Sequence, residues 1–357
     1  MASLVADLKR FTGRRVLITG HTGFKGSWLA LLLSQAGARV TGIALPPETS
    51  PCHFSLLNLA DEIESRECDI RDLGKLESEF RRAKPEIVFH LAAQAFVRKS
   101  YQDPHTTFST NVLGSANVLE CVSRTPSIQI HVFVTSDKCY KNKEQRHGYV
   151  ETDELGGIDP YSQSKAGAEL VFAGYCASRF NRPDTTRVAS ARAGNVIGGG
   201  DWSPDRLIPD CVRALERGDH IEIRNPHATR PWQHVLEPLS GYVRLAVALE
   251  DGSAESGSSW NFGPPETAIH DVREVATFVA ASWGRPDAVN VRDDTSTMHE
   301  SQLLQLNSSK AHKHLSWATR WNFDETMSRT AFWYRSLANG AQANDLTSDD
   351  IKVYLAQ

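Results

Sequence analysis

Short apolar runs alternate with stretches of helical periodicity through the first half of the chain. Residues 15–19 (Arg-Val-Leu-Ile-Thr) make an apolar run of strand length, and helical spacing follows over 25–36 until Gly37 stops it. The same rhythm predicts strands at 39–44, 64–68, 87–91, 130–135 and 186–192, with 64–68 the weakest. It predicts helices at 73–83, closed before Pro85, at 106–123 and at 161–181. Strictly alternating strand and helix means parallel β-α-β units, right-handed, with helices on both faces. The predicted class is therefore α/β, a doubly wound parallel sheet whose ligand lies beyond the carboxyl ends of the strands.

After Gly194 the rhythm breaks. Gly198-Gly199-Gly200-Asp201 reads as a flexible turn. Shorter helices are predicted at 207–217, 238–250 and 272–283, with extended pieces at 221–223 and 260–262. The expected division is a first domain over 1–194, a smaller C-terminal α/β substrate lobe over 195–340, and a peripheral polar tail over 341–357. Strands near 232–235 and 260–262 are candidates to return to the main sheet.

A chain of 357 residues can bury a large core. Its formal charge of −4 gives no reason to expect nucleic acid or an anionic membrane as partner. Cys52, Cys68, Cys121, Cys139, Cys176 and Cys211 are scattered, without a Cys-x-x-Cys pair or a Cys/His cluster, so reduced thiols and no metal site are expected. The N-terminus shows no apolar stretch of signal-peptide length, and no run of 18 apolar residues occurs. The expectation is a cytoplasmic enzyme acting on a small molecule.

Thr19-Gly20-His21-Thr22-Gly23-Phe24-Lys25-Gly26 joins the first strand to the first helix. Glycines spaced Gly-x-x-Gly-x-x-Gly permit a tight turn, let backbone approach a pyrophosphate and let the helix pack on the strand. The helix N-terminus adds N–H groups and partial positive charge. Gly20, Thr22, Gly23, Phe24, Lys25 and Gly26 are thus candidate cofactor contacts in a Rossmann-type domain. The loop lacks the lysine-plus-hydroxyl ending of a nucleotide hydrolase, which argues against an ATPase. After the second strand, Gly42-Ile43-Ala44-Leu45-Pro46-Pro47 carries no acid, and Glu48 comes late. Thr49, Ser50 or backbone is left to hold the ribose. No arginine is there to neutralise a 2′-phosphate, so NAD is favoured over NADP. Asp69 and Ile70 suit the adenine, and Leu91, Ala92 and Ala93 let a dinucleotide run close to backbone. Ordinary loop packing is the competing reading for each.

Ser136, Asp137 and Lys138 end the fifth strand with a hydroxyl, an acid and an amine. Tyr161 and Lys165, four apart, share one helix face. A phenol of pKa about 10 is a poor base at neutral pH, and a nearby ammonium favours its anion. Such a tyrosine can take a proton from a substrate hydroxyl while the carbon beneath it gives up hydride, with Ser136 orienting that hydroxyl. The Asp137/Lys138 pair exceeds what a simple dehydrogenase needs.

Thr19-Gly20-x-x-Gly23-x-x-Gly26, Leu91-Ala92-Ala93, Asn111, Tyr161-x-x-x-Lys165 and Asn195 resemble the extended short-chain dehydrogenase/reductase superfamily, over roughly residues 13–335. Within it the chain resembles the nucleotide-sugar 4,6-dehydratases, in which Thr-Asp-Glu stands where this chain has Ser136-Asp137-Lys138. Lys138, the stretch Gly20 to Gly26, and Thr229-Arg230-Pro231-Trp232-Gln233-His234-Val235 are similar to the branch acting on CDP-glucose. The resemblance implies an NAD-dependent hydro-lyase turning CDP-D-glucose into CDP-4-keto-6-deoxy-D-glucose and water, early on the way to 3,6-dideoxyhexoses of lipopolysaccharide O-antigen. It implies C4 oxidation with Tyr161 as base, C5/C6 elimination with Asp137 as the C6 acid, and hydride return to C6. It also places Thr110, Tyr161 and Lys165 beside the cofactor. Lys138 departs from the family's glutamate. As C5 base it must be a neutral amine; as a cation it would instead stabilise the C4 enolate. Both readings stand, beside a plain ion pair with Asp137.

For the sugar-nucleotide end the resemblance implies Asn195 on the pyrophosphate, Arg206, Leu207 and Arg230 on phosphate and base, and Arg292 and His299 in the nucleotide pocket. Arginines suit phosphate because they are permanently charged, bidentate donors; each could equally be a surface charge. Competing functions are a nucleotide-sugar 4-epimerase, which needs Ser136, Tyr161 and Lys165 but no Asp137/Lys138 pair, a dehydratase of another nucleotide-sugar, and a non-catalytic NAD(P)-sensing protein. Relatives pair through helices corresponding to 106–123 and 161–180, which implies a homodimer or homotetramer.

Overall fold

The computed structural model describes residues 3–357 apart from 146, 183, 266–268 and 293–302. The apolar runs become strands β1 Arg15–Thr19, β2 Arg39–Ala44, β3 Glu64–Glu67, β4 Ile87–His90, β5 Ile130–Val134 and β6 Arg187–Ala193. Smaller strands follow: β7 Val196–Ile197, β8 Ile221–Ile223, β9 Thr229–Pro231, β10 Gln233–His234, β11 Ser258–Phe262, β12 Ile269–Asp271 and β13 Val289–Val291. β5 is buried at every position, as a strand covered on both faces must be.

The main sheet has the order β11-β6-β5-β4-β1-β2-β3, and every neighbouring pair runs parallel. The chain winds outward in one direction through β2 and β3 and in the other through β4, β5 and β6. The order therefore reverses between β1 and β4, where Thr19 faces His90 in register. A crevice opens beyond the carboxyl ends at such a reversal. The late strand 258–262 joins this sheet at its edge, whereas 233–234 pairs with β7 in a separate short ladder. β8 with β13, and β9 with β12, build the smaller lobe together with helices Leu207–Glu216 and Val272–Ser282.

The helix that follows β1, Phe24–Gln35, is buried continuously from Gly26 to Leu33. A helix apolar all round needs cover on more than its sheet face. Trp28 stacks on His53 with ring centroids 5.1 Å apart. His53 Nε2 in turn lies 3.1 Å from Thr347 Oγ1, which also accepts from Trp333 Nε1 at 3.1 Å. Residues 341–357 thus differ from the peripheral tail expected of them. They contain helix Ala343–Leu355, whose Ala343, Thr347, Ile351 and Tyr354 form one buried face.

The stretch 106–123, expected as one helix, is helix Pro104–Phe108, a π-helical turn Ser109–Gly114 and helix Ser115–Arg124. The wide turn holds buried Asn111, whose Oδ1 accepts from Gln94 N at 2.8 Å. Its Nδ2 donates to Gln94 O at 3.0 Å and to Ser164 Oγ at 2.8 Å. One side chain thereby ties the loop after β4 to helix Pro160–Ser178. Among the described residues no helix is long and apolar enough to cross a membrane.

Candidate active site

The glycine loop is built by close approach. Gly20 has φ +81°, and a Cβ there would lie 2.7 Å from Ala92 N. Only glycine allows the β1 and β4 loops to touch in this way. A Cβ on Gly26 would run into the Gly20 carbonyl oxygen. Gly23 caps helix Phe24–Gln35 without any side-chain hydrogen bond, so no side chain occupies its first-turn N–H groups. Thr22 Oγ1 donates to Leu45 O at 2.9 Å, holding the loop against the end of β2.

These loops wall a cavity of about 850 Å³. Gly20, Thr22, Gly23, Phe24, Lys25 and Gly26 line it, with Asp69, Ile70, Leu91, Ala92, Ala93 and Thr110 further along. An uncapped helix N-terminus at the sheet's reversal point, with glycine where backbone must come close, fits a dinucleotide such as NAD. The acid absent after β2 has no direct substitute: Glu48 is on the wall, but both its oxygens lie 3.0 Å from Lys99 Nζ. Asp69 is engaged by Arg71, whose Nε donates to Oδ2 at 2.9 Å, and these hydrogen bonds hold the carboxyl below its ordinary range.

Ser136, Asp137, Lys138, Tyr161 and Lys165 line the same cavity. Helix Pro160–Ser178 starts with Asp159 capping Ser162 N and Pro160 in its first turn, which sets Tyr161 at the helix entrance. Tyr161 and Lys165 are both buried on one face, and Lys165 Nζ is 5.9 Å from the Tyr161 ring centroid. Burial raises the Tyr161 phenol to about 12, opposed by its hydrogen bond with Ser136 and by the Arg206 charge. Burial also lowers Lys165 to about 8, and Lys25 in the glycine loop to about 8 despite the attraction of Asp137.

Asp137 is 5% exposed. Burial raises its pKa, overcoming the opposing pull of Lys138, Ser136 and Lys25. Ser136 Oγ donates to its Oδ1 at 2.8 Å, and a Cβ on Gly194 would stand 3.0 Å from its Oδ2. A phenol beside an ammonium and a carboxyl biased toward its neutral form meet at one hydroxyl. That set can remove a proton at one substrate atom and deliver one at another.

A family model described as GDP-mannose 4,6 dehydratase matches residues 17–330. The chain belongs to the GDP-mannose 4,6 dehydratase family. It is 45% identical to a CDP-glucose 4,6-dehydratase of Salmonella typhimurium strain LT2, over 98% of this chain and 98% of that one. It is 26% identical to a UDP-glucose 4-epimerase of Rhizobium leguminosarum bv. trifolii, over 90% of this chain and 98% of that one. Among solved structures, the dTDP-glucose 4,6-dehydratase DesIV of Streptomyces venezuelae with NAD bound has a TM-score of 0.75 at 26% identity, covering 90% of this chain and 97% of that one.

For this GDP-mannose 4,6 dehydratase family member, the far wall of the cavity carries Asn195, Arg206, Leu207 and Arg230. Arg206 Nη1 is held by Asp201 Oδ2 at 2.9 Å, with its guanidinium 5.9 Å from the Phe96 ring centroid. Arg292 is not brought to the wall. It follows β13, is 72% exposed, and pairs with Glu222 through Nε at 2.7 Å. His299 lies outside the described residues. Trp202 lines the cavity yet is 8% exposed and packs edge-on against Tyr334, so it is both wall and core.

Four residues near the site were not among those expected. Gly194 backs Asp137. Arg98, on helix Val97–Gln102, reaches Asp205 of the smaller lobe at 2.9 Å, across the cavity wall. Glu169 and Arg192 form a buried pair next to the catalytic segment. Only Glu169 carries a local signal, four residues beyond Lys165 on the same helix face.

Proposed function

We propose that the chain is an NAD-dependent hydro-lyase that converts CDP-D-glucose to CDP-4-keto-6-deoxy-D-glucose and water. The observation that carries this reading is that Tyr161, Ser136 and Asp137 line one cavity, with Ser136 Oγ donating to Asp137 Oδ1 at 2.8 Å. The 45% identity to a CDP-glucose 4,6-dehydratase supports the nucleotide and the sugar. Bound against the glycine loop, NAD would supply the acceptor for hydride from C4 and its return to C6.

Tyr161 Oη takes the C4 hydroxyl proton, with the Lys165 ammonium favouring the phenolate and Ser136 Oγ orienting that hydroxyl. The resulting ketone acidifies the C5 proton. Asp137, biased toward its neutral form by burial, gives its proton to the C6 hydroxyl, which departs as water. The half-buried Lys138 lines the wall in reach of the same segment. It takes the C5 proton as a neutral amine and returns it to C5 as hydride reaches C6, or as a cation it steadies the enolate oxygen while a different base removes and returns that proton. Asn195, Arg206 and Arg230 hold the nucleotide diphosphate.

Incubation with CDP-, dTDP-, UDP- and GDP-glucose, followed by product mass, tests the reading. CDP-glucose should lose one water with only catalytic NAD present. Unchanged mass with altered sugar configuration would make the chain an epimerase, a reaction with no work for Asp137.

Phe108, Leu113 and Leu170 are exposed by 40%, 55% and 63% on the π-turn region and the catalytic helix. This apolar face supports pairing of two copies there, as a homodimer or a dimer of dimers, which sedimentation velocity would detect. The scattered cysteines favour a reducing compartment, the cytoplasm.

A further inference from the structure

One buried ion pair touches both ends of the segment that carries Ser136, Asp137 and Lys138. Glu169 and Arg192 are 2% and 4% exposed in their side chains, with Arg192 Nη2 2.7 Å from Glu169 Oε2. On the near side of the segment, Thr135 Oγ1 donates to Glu169 Oε1. On the far side, Arg192 Nη1 donates to Tyr140 Oη at 2.8 Å and lies over the Tyr140 ring, 5.1 Å from its centroid. Ser190 Oγ also donates to Glu169 at 3.0 Å, and Arg192 donates to Glu151 O and Ser259 Oγ, each at 3.0 Å, while the buried Arg192 Nε has no partner among the described residues. Neither charged residue lines the cavity, whereas Thr135 and Tyr140 do.

Glu169 sits four residues beyond Lys165 and eight beyond Tyr161, on the buried face of the catalytic helix. Arg192 is on β6, beside the strand from which the Ser136 segment emerges. The pair therefore connects three bodies: the helix with the phenol, the strand behind it, and the loop with the acid. A buried pair is a poor source of stability, since apolar residues of equal volume often serve as well or better. What it supplies here is a fixed geometry, with Glu169 and three of the Arg192 contacts set by named partners on the helix, the strand and the loop.

We propose that Glu169 and Arg192 are positioning residues that hold the Ser136–Lys138 segment at both ends against the catalytic helix, so that Asp137 and Tyr161 address the same hexose. This rests on the dehydratase reading. It assigns the two hydroxyl ties, Thr135 to Glu169 and Tyr140 to Arg192, to the elimination step rather than to binding or to C4 oxidation.

The test cuts the ties and leaves the pair. In Thr135→Val with Tyr140→Phe, the dehydration rate constant should fall at least about tenfold, because small misplacements at a reacting centre are costly. The KM for CDP-glucose should stay within about twofold, a sign that uniform binding is intact. In a single turnover NADH should build up, since C4 oxidation continues while water loss lags. Amide hydrogen exchange in the peptide spanning 134–141 should speed up without substrate present. Glu169→Gln should retain more activity than Glu169→Ala, because the amide oxygen can still accept from Thr135. Each single hydroxyl variant serves if the double variant does not fold. A variant with the wild-type rate, or one slowed equally in oxidation and elimination alongside a lower melting temperature, would overturn the proposal. A wild-type enzyme that makes no 4-keto-6-deoxy sugar would sink the dehydratase reading instead, and the exchange measurement would still report on the frame.

Discussion

Ser136 Oγ donates to Asp137 Oδ1 at 2.8 Å, and the same hydroxyl opposes the upward push of burial on the Tyr161 phenol. A serine has one O–H to donate, so it serves the carboxylate or the phenolate but not both. When Tyr161 ionises and draws that O–H, Asp137 loses a donor that favoured its charged form. Burial then raises the carboxyl's pKa against less opposition, toward the protonated state a C6 acid requires.

Removing that hydroxyl should uncouple the two groups. Ser136→Ala is expected to lower kcat by about 10²–10³, in the range of a lost acid–base contributor, with a smaller effect on KM. Steady-state kinetics with CDP-glucose checks this.

Lys165 should trade stability for function. Burial lowers it from 10.5 to about 8, so its charged form is disfavoured in the fold. The penalty is complete below about pH 8 and is relieved as pH rises from there toward 10.5. At about 1.4 kcal/mol per unit, Lys165→Met should stabilise the protein at pH 7 by roughly 3 kcal/mol while abolishing turnover. Urea unfolding should show the gain shrinking in alkaline buffer. In the wild type, turnover should decline above about pH 8 as the ammonium is lost.

Gly194 leaves no spare room beside the acid. With a Cβ placed 3.0 Å from Asp137 Oδ2, Gly194→Ala must displace the carboxyl or the backbone by a few tenths of an ångström. The expected result is an elimination step slowed about tenfold. NAD affinity, read by quenching of protein fluorescence, should be unchanged.

The C-terminal helix should matter to stability as much as an interior one. Tyr354 is 1% exposed, and its Oη donates to Glu237 Oε2 at 2.7 Å. Glu237 also accepts from Arg320 N and Trp321 N, so the helix closes a buried acceptor that would otherwise lack one donor. Tyr354→Ala should cost about 3–5 kcal/mol and Tyr354→Phe about 1–2 kcal/mol, measured by urea denaturation.

Much of this was legible in the chain because the signals are local. β1, β4 and β5 are short, mostly apolar runs bounded by helical stretches, the pattern expected of strands buried on both faces. The glycine loop and the Tyr161/Lys165 pair are fixed by spacing alone. The Glu169–Arg192 pair was not legible, because Arg192 on β6 meets the helical Glu169 across 23 residues of chain. No periodicity encodes that contact. The π-turn at 109–114 was hidden because one wide turn barely disturbs the helical period. Helix Ala343–Leu355 was missed because its buried face includes Ala343 and Thr347, which contrast weakly with their polar neighbours. Arg292 was placed by position relative to relatives; in the structure it pairs with Glu222 on the cavity rim without lining the cavity itself.

The most direct test of two acid–base groups working on one hexose is a single turnover of Asp137→Asn with CDP-glucose and NAD, following NADH absorbance and product mass together. The amide cannot protonate the C6 oxygen, but Tyr161, Ser136 and Lys165 remain. NADH should appear and persist, with no loss of water from the sugar. Formation of the 4-keto-6-deoxy product at the wild-type rate would contradict the account.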